Sequence, residues 1–216
     1  MIKILLVDDH DLVRTGVRRL LEDVDDFEIL GEATNGEEAI QMTATLNPDV
    51  VLMDINMPGI GGLEATRKML GDKPSLRIII VTMHQDDMFA QRLLKAGAVG
   101  YLTKGARVDE ISHAIRETMA GQRYITPEIA QQLALSQFPE HESSSPFDNL
   151  SERELQVLMM LMEGHKITTI SDKLCLSPKT VSTYRQRLYN KLDVHSDIEL
   201  ARLAMLHGVI ESSQIQ

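Results

Sequence analysis

Residues 2–9, IKILLVDD, and residues 50–54, VVLMD, decide the fold. Each is a short run of Ile, Val, Leu and Met that ends on acid, with no alternation of apolar and polar positions. A strand of that kind is covered on both faces, as in a parallel sheet flanked by helices. Working outward, similar short runs recur at 27–31, 77–81 and 99–102. The stretches between them are helix-like at about 11–23, 36–46, 62–70, 86–96 and 106–120. Five strand–helix units imply right-handed crossovers and a doubly wound α/β domain.

In such a sheet the polar residues collect at one end. Asp8 and Asp9 follow the first strand, Asp54 ends the third, Thr82 ends the fourth and Lys104 follows the fifth. With flavodoxin-like order 2-1-3-4-5, strands one and three adjoin at the switch point where ligands bind. Three carboxylates converging there repel one another, so the site needs a hard divalent cation or a cationic side chain. Mg²⁺ suits oxygen donors, and Lys104 supplies a point charge. Asp49, which precedes strand three, reads as an ordinary loop acid. Gly59-Ile60-Gly61-Gly62 reads as a turn into a helix, because a dinucleotide loop would need Gly where Glu64 stands. The seven histidines show no ligand spacing, and His10 reads as a solvated helix-start residue. The twelve methionines are core filler.

The chain has 216 residues, a net charge of −10 and 4% aromatics, and no apolar run approaches the 18 residues of a membrane span. The N-terminal apolar run is too short for a signal peptide, and the single Cys175 excludes an internal disulfide; both fit a reducing cytoplasm. The charge is uneven. Residues 1–136 carry 21 acidic and 14 basic side chains, residues 137–149 three acids and no base, and residues 150–216 eight of each. Between Ser177 and Leu192 lie Lys179, Arg185, Arg187 and Lys191 and no acid. An acidic front half and a locally basic segment point to two separate tasks.

Residues 126–137 predict one further helix, and 138–149, FPEHESSSPFDN, have linker composition. The boundaries read as 1–122 for the first domain, 123–149 for the extra helix and linker, and 150–216 for a second, all-α domain. Ser151 with Glu154 fits a capping box, and four helices follow near 151–163, 167–174, 178–191 and 196–207. The third starts at Ser177-Pro178, an N-cap and first-position pair. On it Val181, Tyr184, Leu188 and Leu192 share one stripe. The opposite face carries Lys179, Ser182, Thr183, Gln186 and Asn190, with Arg187 and Tyr189 at its edges. An apolar stripe backed by bases and hydrogen-bonding side chains suits a recognition helix in the major groove; an ordinary solvated face would show the same periodicity.

Two resemblances sharpen these readings. LLVDDH, VVLMDINMPGIGGLEATR, IIIVTMH and AGAVGYLTKG resemble the receiver domain of bacterial two-component response regulators, over residues 1–120. The resemblance implies that Asp54 accepts a phosphoryl group from a sensor histidine kinase. It implies that Asp8 or Asp9, Asp54 and the Asn56 carbonyl hold Mg²⁺, that Lys104 and Thr82 bind phosphoryl oxygens, and that Tyr101 reorients with Thr82. Met83 and Gly105 depart from common receiver residues and bear on the detail of that switch. LSERELQVL, the Gly164 break and TISDKLCLSPKTVSTYRQRLYNKLDV resemble the LuxR/FixJ-type helix-turn-helix domain over about 150–208, in the order of the NarL/FixJ subfamily.

This second resemblance implies that Lys179, Ser182, Thr183 and Gln186 face base edges or phosphates, with Thr180, Arg187 and Lys191 nearer the backbone. It implies a buried Cys175 on the scaffold helix, and a last helix whose Ile198, Leu200, Leu203 and Leu206 supply a homodimer contact. Over the whole chain GGLEATR, GQRYI and SPKTV resemble the GacA/UvrY/LetA group of global regulators. That implies a hybrid membrane-bound sensor kinase as donor and promoters of small regulatory RNA genes as targets.

The expectation is therefore a cytoplasmic, DNA-binding signalling protein and not an enzyme. Of its rivals, an aspartate-nucleophile phosphatase needs a second acid where Asn56 stands. A degenerate receiver used only for interaction is opposed by the complete set of Asp8, Asp9, Asp54, Thr82 and Lys104.

Overall fold

The computed structural model describes residues 1–55, 57–82, 87–135, 145–207 and 209. The chain forms two compact units, residues 1–135 and 136–216. In the first, the strands β1 (Ile2–Val7), β2 (Phe27–Ala33), β3 (Val50–Met53), β4 (Arg77–Thr82), β5 (Gly100–Thr103) and β6 (Tyr124–Ile125) form one all-parallel sheet ordered β2-β1-β3-β4-β5-β6. The five expected strands take the expected flavodoxin-like order. The sixth, a two-residue strand, adds to the edge of β5, pairing Gly100 with Tyr124 and Tyr101 with Ile125.

Helices α1 (Asp11–Glu22), α2 (Gly36–Leu46), α3 (Gly61–Asp72), α4 (Asp87–Lys95), α5 (Val108–Met119) and α6 (Pro127–Leu135) alternate with the strands. The unbroken apolar runs are explained by double coverage. Ile4, Leu6, Val50, Leu52, Ile79, Val81 and Leu102 pack with Ile111, Ala114 and Ile115 of α5 and Leu21 of α1. Their strand neighbours Leu5, Val51, Met53, Ile78 and Ile80 are buried too, as side chains alternating to the other face must be in a doubly covered sheet. Removing one such side chain, as in Leu102→Ala, costs about 2–5 kcal/mol.

The GIGG stretch is a turn into α3, as its residues predict. Gly59 and Gly61 have φ of 75° and 72°, a region that only glycine enters freely. Gly62 serves a different purpose: a Cβ there would sit 2.2 Å from the Asp54 carbonyl oxygen. Its absence lets the start of α3 close against the end of β3, where the acids gather.

The second unit contains a 3-10 turn at Pro146–Asn149 and helices α7 (Glu152–Met162), α8 (Ile167–Lys173), α9 (Pro178–Leu192) and α10 (Asp197–Leu206). Its core includes Phe147, Leu155, Leu158, Ile170, Val181, Leu188, Leu200 and Ala204. The capping box is present, with Ser151 accepting from the Glu154 N–H and the Glu154 carboxylate accepting from the Ser151 N–H. The end of the linker-like stretch belongs to this unit: Phe147 is fully buried and meets the His207 ring edge-on at 5.9 Å. The rest of the linker reading, 138–144, lies outside the described residues.

One expectation is corrected. Cys175 is not a buried scaffold-helix residue; it is exposed, in the turn after α8, with φ of 53°. The left-handed turn brings Leu174 inward and carries the next side chain out. Among the described residues no helix is long and apolar enough to cross a membrane.

Candidate functional site

The strand order places the carboxyl ends of β1 and β3 side by side, with Val7 opposite Met53 and the Asp54 N–H donating to the Val7 carbonyl at 2.8 Å. Asp8 and Asp54 therefore leave adjacent strands together. β5 follows beyond β4, with Thr82 opposite Thr103 and the Lys104 N–H donating to the Thr82 carbonyl at 2.8 Å. From there the Lys104 ammonium reaches both acids, 2.7 Å from Asp8 Oδ2 and 2.8 Å from Asp54 Oδ2. The side chains of Lys104 and Asp54 are each only 3% exposed. The other Asp54 oxygen accepts from the Ile55 N–H at 2.7 Å.

Burial pushes the Asp54 carboxyl up to about 6, with neighbouring Asp8 adding to the rise and Lys104 opposing it. For Lys104, burial alone would lower the pKa, but Asp54 and Asp8 outweigh it and hold the ammonium above its ordinary value. Asp9 completes the cluster. Carboxylate oxygens of Asp8, Asp9 and Asp54 and a ring nitrogen of His10 lie within 4.8 Å of one another. A donor set dominated by carboxylate oxygen fits a hard divalent ion. Asn56 and Met83 lie outside the described residues. Thr82 is fully buried at the end of β4, and Tyr101 is fully buried within β5.

On α9 the sequence-read faces are where the spacing put them. Val181, Leu188 and Leu192 are buried and Tyr184 is half-buried, while Lys179, Ser182, Thr183, Gln186, Arg187, Asn190 and Lys191 are exposed. Ser177 caps the helix and shares a hydrogen bond with the half-buried Thr180 hydroxyl at 2.8 Å. The Ser182 and Thr183 hydroxyls donate back to the Pro178 and Lys179 carbonyls, each at 2.9 Å, leaving their oxygens outward as acceptors. The Gln186 amide donates to Asn190 at 3.2 Å, and the Arg187 guanidinium lies 5.7 Å from the Tyr184 ring centre.

Comparison with known proteins bears on both regions. Residues 4–116 match the model for the response regulator receiver domain, and residues 148–204 match bacterial regulatory proteins of the luxR family. The chain belongs to the LuxR-type two-component response regulators. It is 55% identical over 213 residues to the response regulator GacA of Pseudomonas aeruginosa, covering 99% of this chain and 100% of that one. It is 50% identical over 215 residues to the response regulator UvrY of Escherichia coli K12, covering 100% and 99%. Among solved structures it is similar to RcsB of Salmonella enterica serovar Typhimurium, described as bound to promoter rprA in the presence of a phosphomimetic. That likeness has a TM-score of 0.65 and 25% identity, over 94% of this chain and 98% of that one.

In this response regulator three polar relationships escaped the reading of its sequence. His10 is not merely solvated: its Nδ1 lies 2.9 Å from Asp9 and 3.2 Å from Asp8. The adjacency in DDH was a usable signal. Arg185, one of the four bases of α9, is bound to both carboxylate oxygens of Asp197, at 2.7 and 3.0 Å. Lys191 pairs with Glu154 at 2.7 Å. No spacing in the sequence announces the last two pairs, because they join different helices.

Proposed function

We propose that this response regulator accepts a phosphoryl group on Asp54 from a sensor histidine kinase and then binds promoter DNA through α9. The observation that carries the reading is the buried Asp54 carboxylate with the Lys104 ammonium 2.8 Å away and Asp8 beside it. An Asp54 oxygen attacks phosphorus; the phosphorus–nitrogen bond of the donor histidine breaks as the phosphorus–oxygen bond forms, and the imidazole leaves with the electron pair. Asp8, Asp9, Asp54 and the Asn56 carbonyl would hold Mg²⁺, which when bound neutralises charge developing on the phosphoryl oxygens.

Lys104 then transfers its hydrogen bond from the carboxylate pair to a phosphoryl oxygen. The Thr82 hydroxyl donates to another, and Tyr101 follows into the space that Thr82 vacates. On the DNA side, Lys179, Ser182, Thr183 and Gln186 face base edges or phosphates, with Thr180 and Arg187 nearer the backbone. We further assign the protein to the cytoplasm, as a non-enzymatic homodimer when phosphorylated. Its donor is a hybrid membrane-bound kinase, and its targets are promoters of small regulatory RNA genes, as the resemblance to the GacA/UvrY/LetA group implies.

Mapping of bound genomic sites with wild-type and Asp54→Asn protein tests the whole reading. Occupancy of small-RNA promoters that depends on Asp54 supports it. Occupancy indifferent to Asp54 would detach DNA binding from phosphorylation.

A further inference from the structure

We infer that Lys191 is a positioning residue of the recognition helix and not one of its phosphate contacts. Its ammonium ties the far end of α9 to the start of α7 and to the 3-10 turn before it, and so fixes the angle at which the DNA-facing residues of α9 meet a duplex. The inference rests on the DNA-binding reading above and narrows it.

The geometry is that of a tie between three elements. Lys191 Nζ donates to Glu154 Oε2 at 2.7 Å and to the Asn149 carbonyl at 3.1 Å. The Glu154 side chain is 3% exposed, and the same oxygen accepts from the Ser151 N–H at 2.7 Å and the Ser151 hydroxyl at 2.8 Å. Burial alone would raise the Glu154 pKa; Lys191 and Ser151 outweigh it and hold the carboxyl below its ordinary value. Turning Lys191 outward to a phosphate would leave that buried carboxylate without its cation, a costly exchange.

Position along the helix explains why the tie matters. At 1.5 Å per residue Lys191 stands about 14 Å from Ser182 along the axis, so a tilt of about 10° about that anchor moves Ser182, whose short side chain cannot follow, by about 2 Å, whereas the long Lys179 side chain keeps a phosphate within reach. A displacement of that size removes a hydrogen bond to a base. Arg185, held by Asp197 from α10, secures the middle of the same helix.

The test uses the full chain. A duplex recovered from a random pool by wild-type protein is compared with a scrambled duplex of equal length, in salt titrations with Lys191→Met, Lys191→Arg, Glu154→Gln and Lys179→Met. For a positioning role, Lys191→Met and Glu154→Gln each weaken binding to the selected duplex by about fivefold. They leave the scrambled duplex and the salt slope unchanged, and they are strongly non-additive together. Lys191→Arg, which keeps the charge and a donor, restores most of the preference.

Lys179→Met is the reference for a phosphate contact, flattening the log–log salt slope by about one. If Lys191→Met flattens the slope likewise and weakens both duplexes alike, the lysine is a phosphate contact and the inference fails. A parallel loss on both duplexes with an unchanged slope, or no loss on either, also overturns it. If wild-type protein recovers no sequence, or Lys179→Met leaves the slope untouched, the assignment of α9 to DNA itself fails.

Discussion

At the ends of β1, β3 and β5, Asp8, Asp54 and Lys104 are packed within hydrogen-bonding distance and nearly out of water, with Asp9 beside them. Along α9 four bases are strung over more than three turns, and two of them, Arg185 and Lys191, are paired to acids of other helices of the same unit. In the first region desolvation makes every charge depend on its neighbours. In the second, water and salt screen the exposed groups, and affinity is shared among many small contributions. Under the proposed function, one substitution in the first region ends the chemistry of the receiver, whereas single changes on the exposed face of α9 only tune DNA binding.

The largest expected effect is therefore at Asp54. Asp54→Asn should abolish Mg²⁺-dependent labelling by acetyl phosphate, read as the loss of the added phosphate mass, while the far-ultraviolet spectrum stays that of the wild type. The amide keeps the shape but lacks a nucleophilic anion. Equal labelling of the variant would move the acceptor elsewhere and erase the contrast between the two regions.

Lys104 comes next, because its loss leaves Asp8 and Asp54 facing each other without a cation. Lys104→Ala should cost about 3 kcal/mol in a urea titration without divalent ions. Lys68→Ala breaks only an exposed helix pair with Glu64, 3.4 Å away, and should cost at most about 0.5 kcal/mol. Added Mg²⁺ should restore part of the loss in the Lys104 variant and little in the other. Similar costs for the two lysines would show that burial gives the receiver cluster no special leverage.

How much of this was open to a reader of the sequence follows from the same physics. The five main strands, the convergence of Asp8, Asp9, Asp54 and Lys104 and the place of Thr82 at the end of β4 were legible, because apolar runs fix the strands and the topology brings their ends together. The buried stripe and the exposed polar face of α9 were legible because that helix keeps strict helical spacing from Val181 to Leu192. β6 was not, since Tyr124 and Ile125 are too few to show a period. Cys175 was misplaced because a left-handed residue ends α8 earlier than the apolar pattern suggests. The pairs of Lys191 with Glu154 and of Arg185 with Asp197 depend on how helices pack. No local pattern encodes them.

A smaller effect tests the division of labour within α9. Lys179→Met should flatten the salt dependence of DNA binding by about one unit of log–log slope. Arg185→Met should leave the slope unchanged, because its charge is already spent on Asp197. Gln186 substitutions should change which sequences are preferred while leaving the slope alone. If Arg185→Met flattened the slope as much as Lys179→Met, the paired and unpaired bases would be equivalent to a phosphate.

The smallest effect is a pH dependence that belongs to the second unit. Glu154 has its pKa lowered in the folded chain: burial alone would raise it, but the Lys191 ammonium and the Ser151 donors prevail. A carboxyl whose folded pKa lies below its unfolded value of about 4.3 binds its proton more readily when unfolded. Its stabilising contribution is thus fully present above about pH 4.3 and is lost as pH falls through the folded pKa. Glu154→Gln cannot titrate, so the difference in stability between wild type and variant should be about 1 kcal/mol at pH 7 and should shrink steadily below pH 4.3. The measurement is a pair of denaturation series from pH 7 to pH 3, following the transition of the C-terminal unit. Lys191→Met should remove most of the same pH-dependent difference, because the ammonium is the largest influence holding the carboxyl down. A difference that stayed constant with pH would mean that Glu154 acts through packing and its Ser151 hydrogen bonds alone, leaving α9 without an electrostatic anchor at that end.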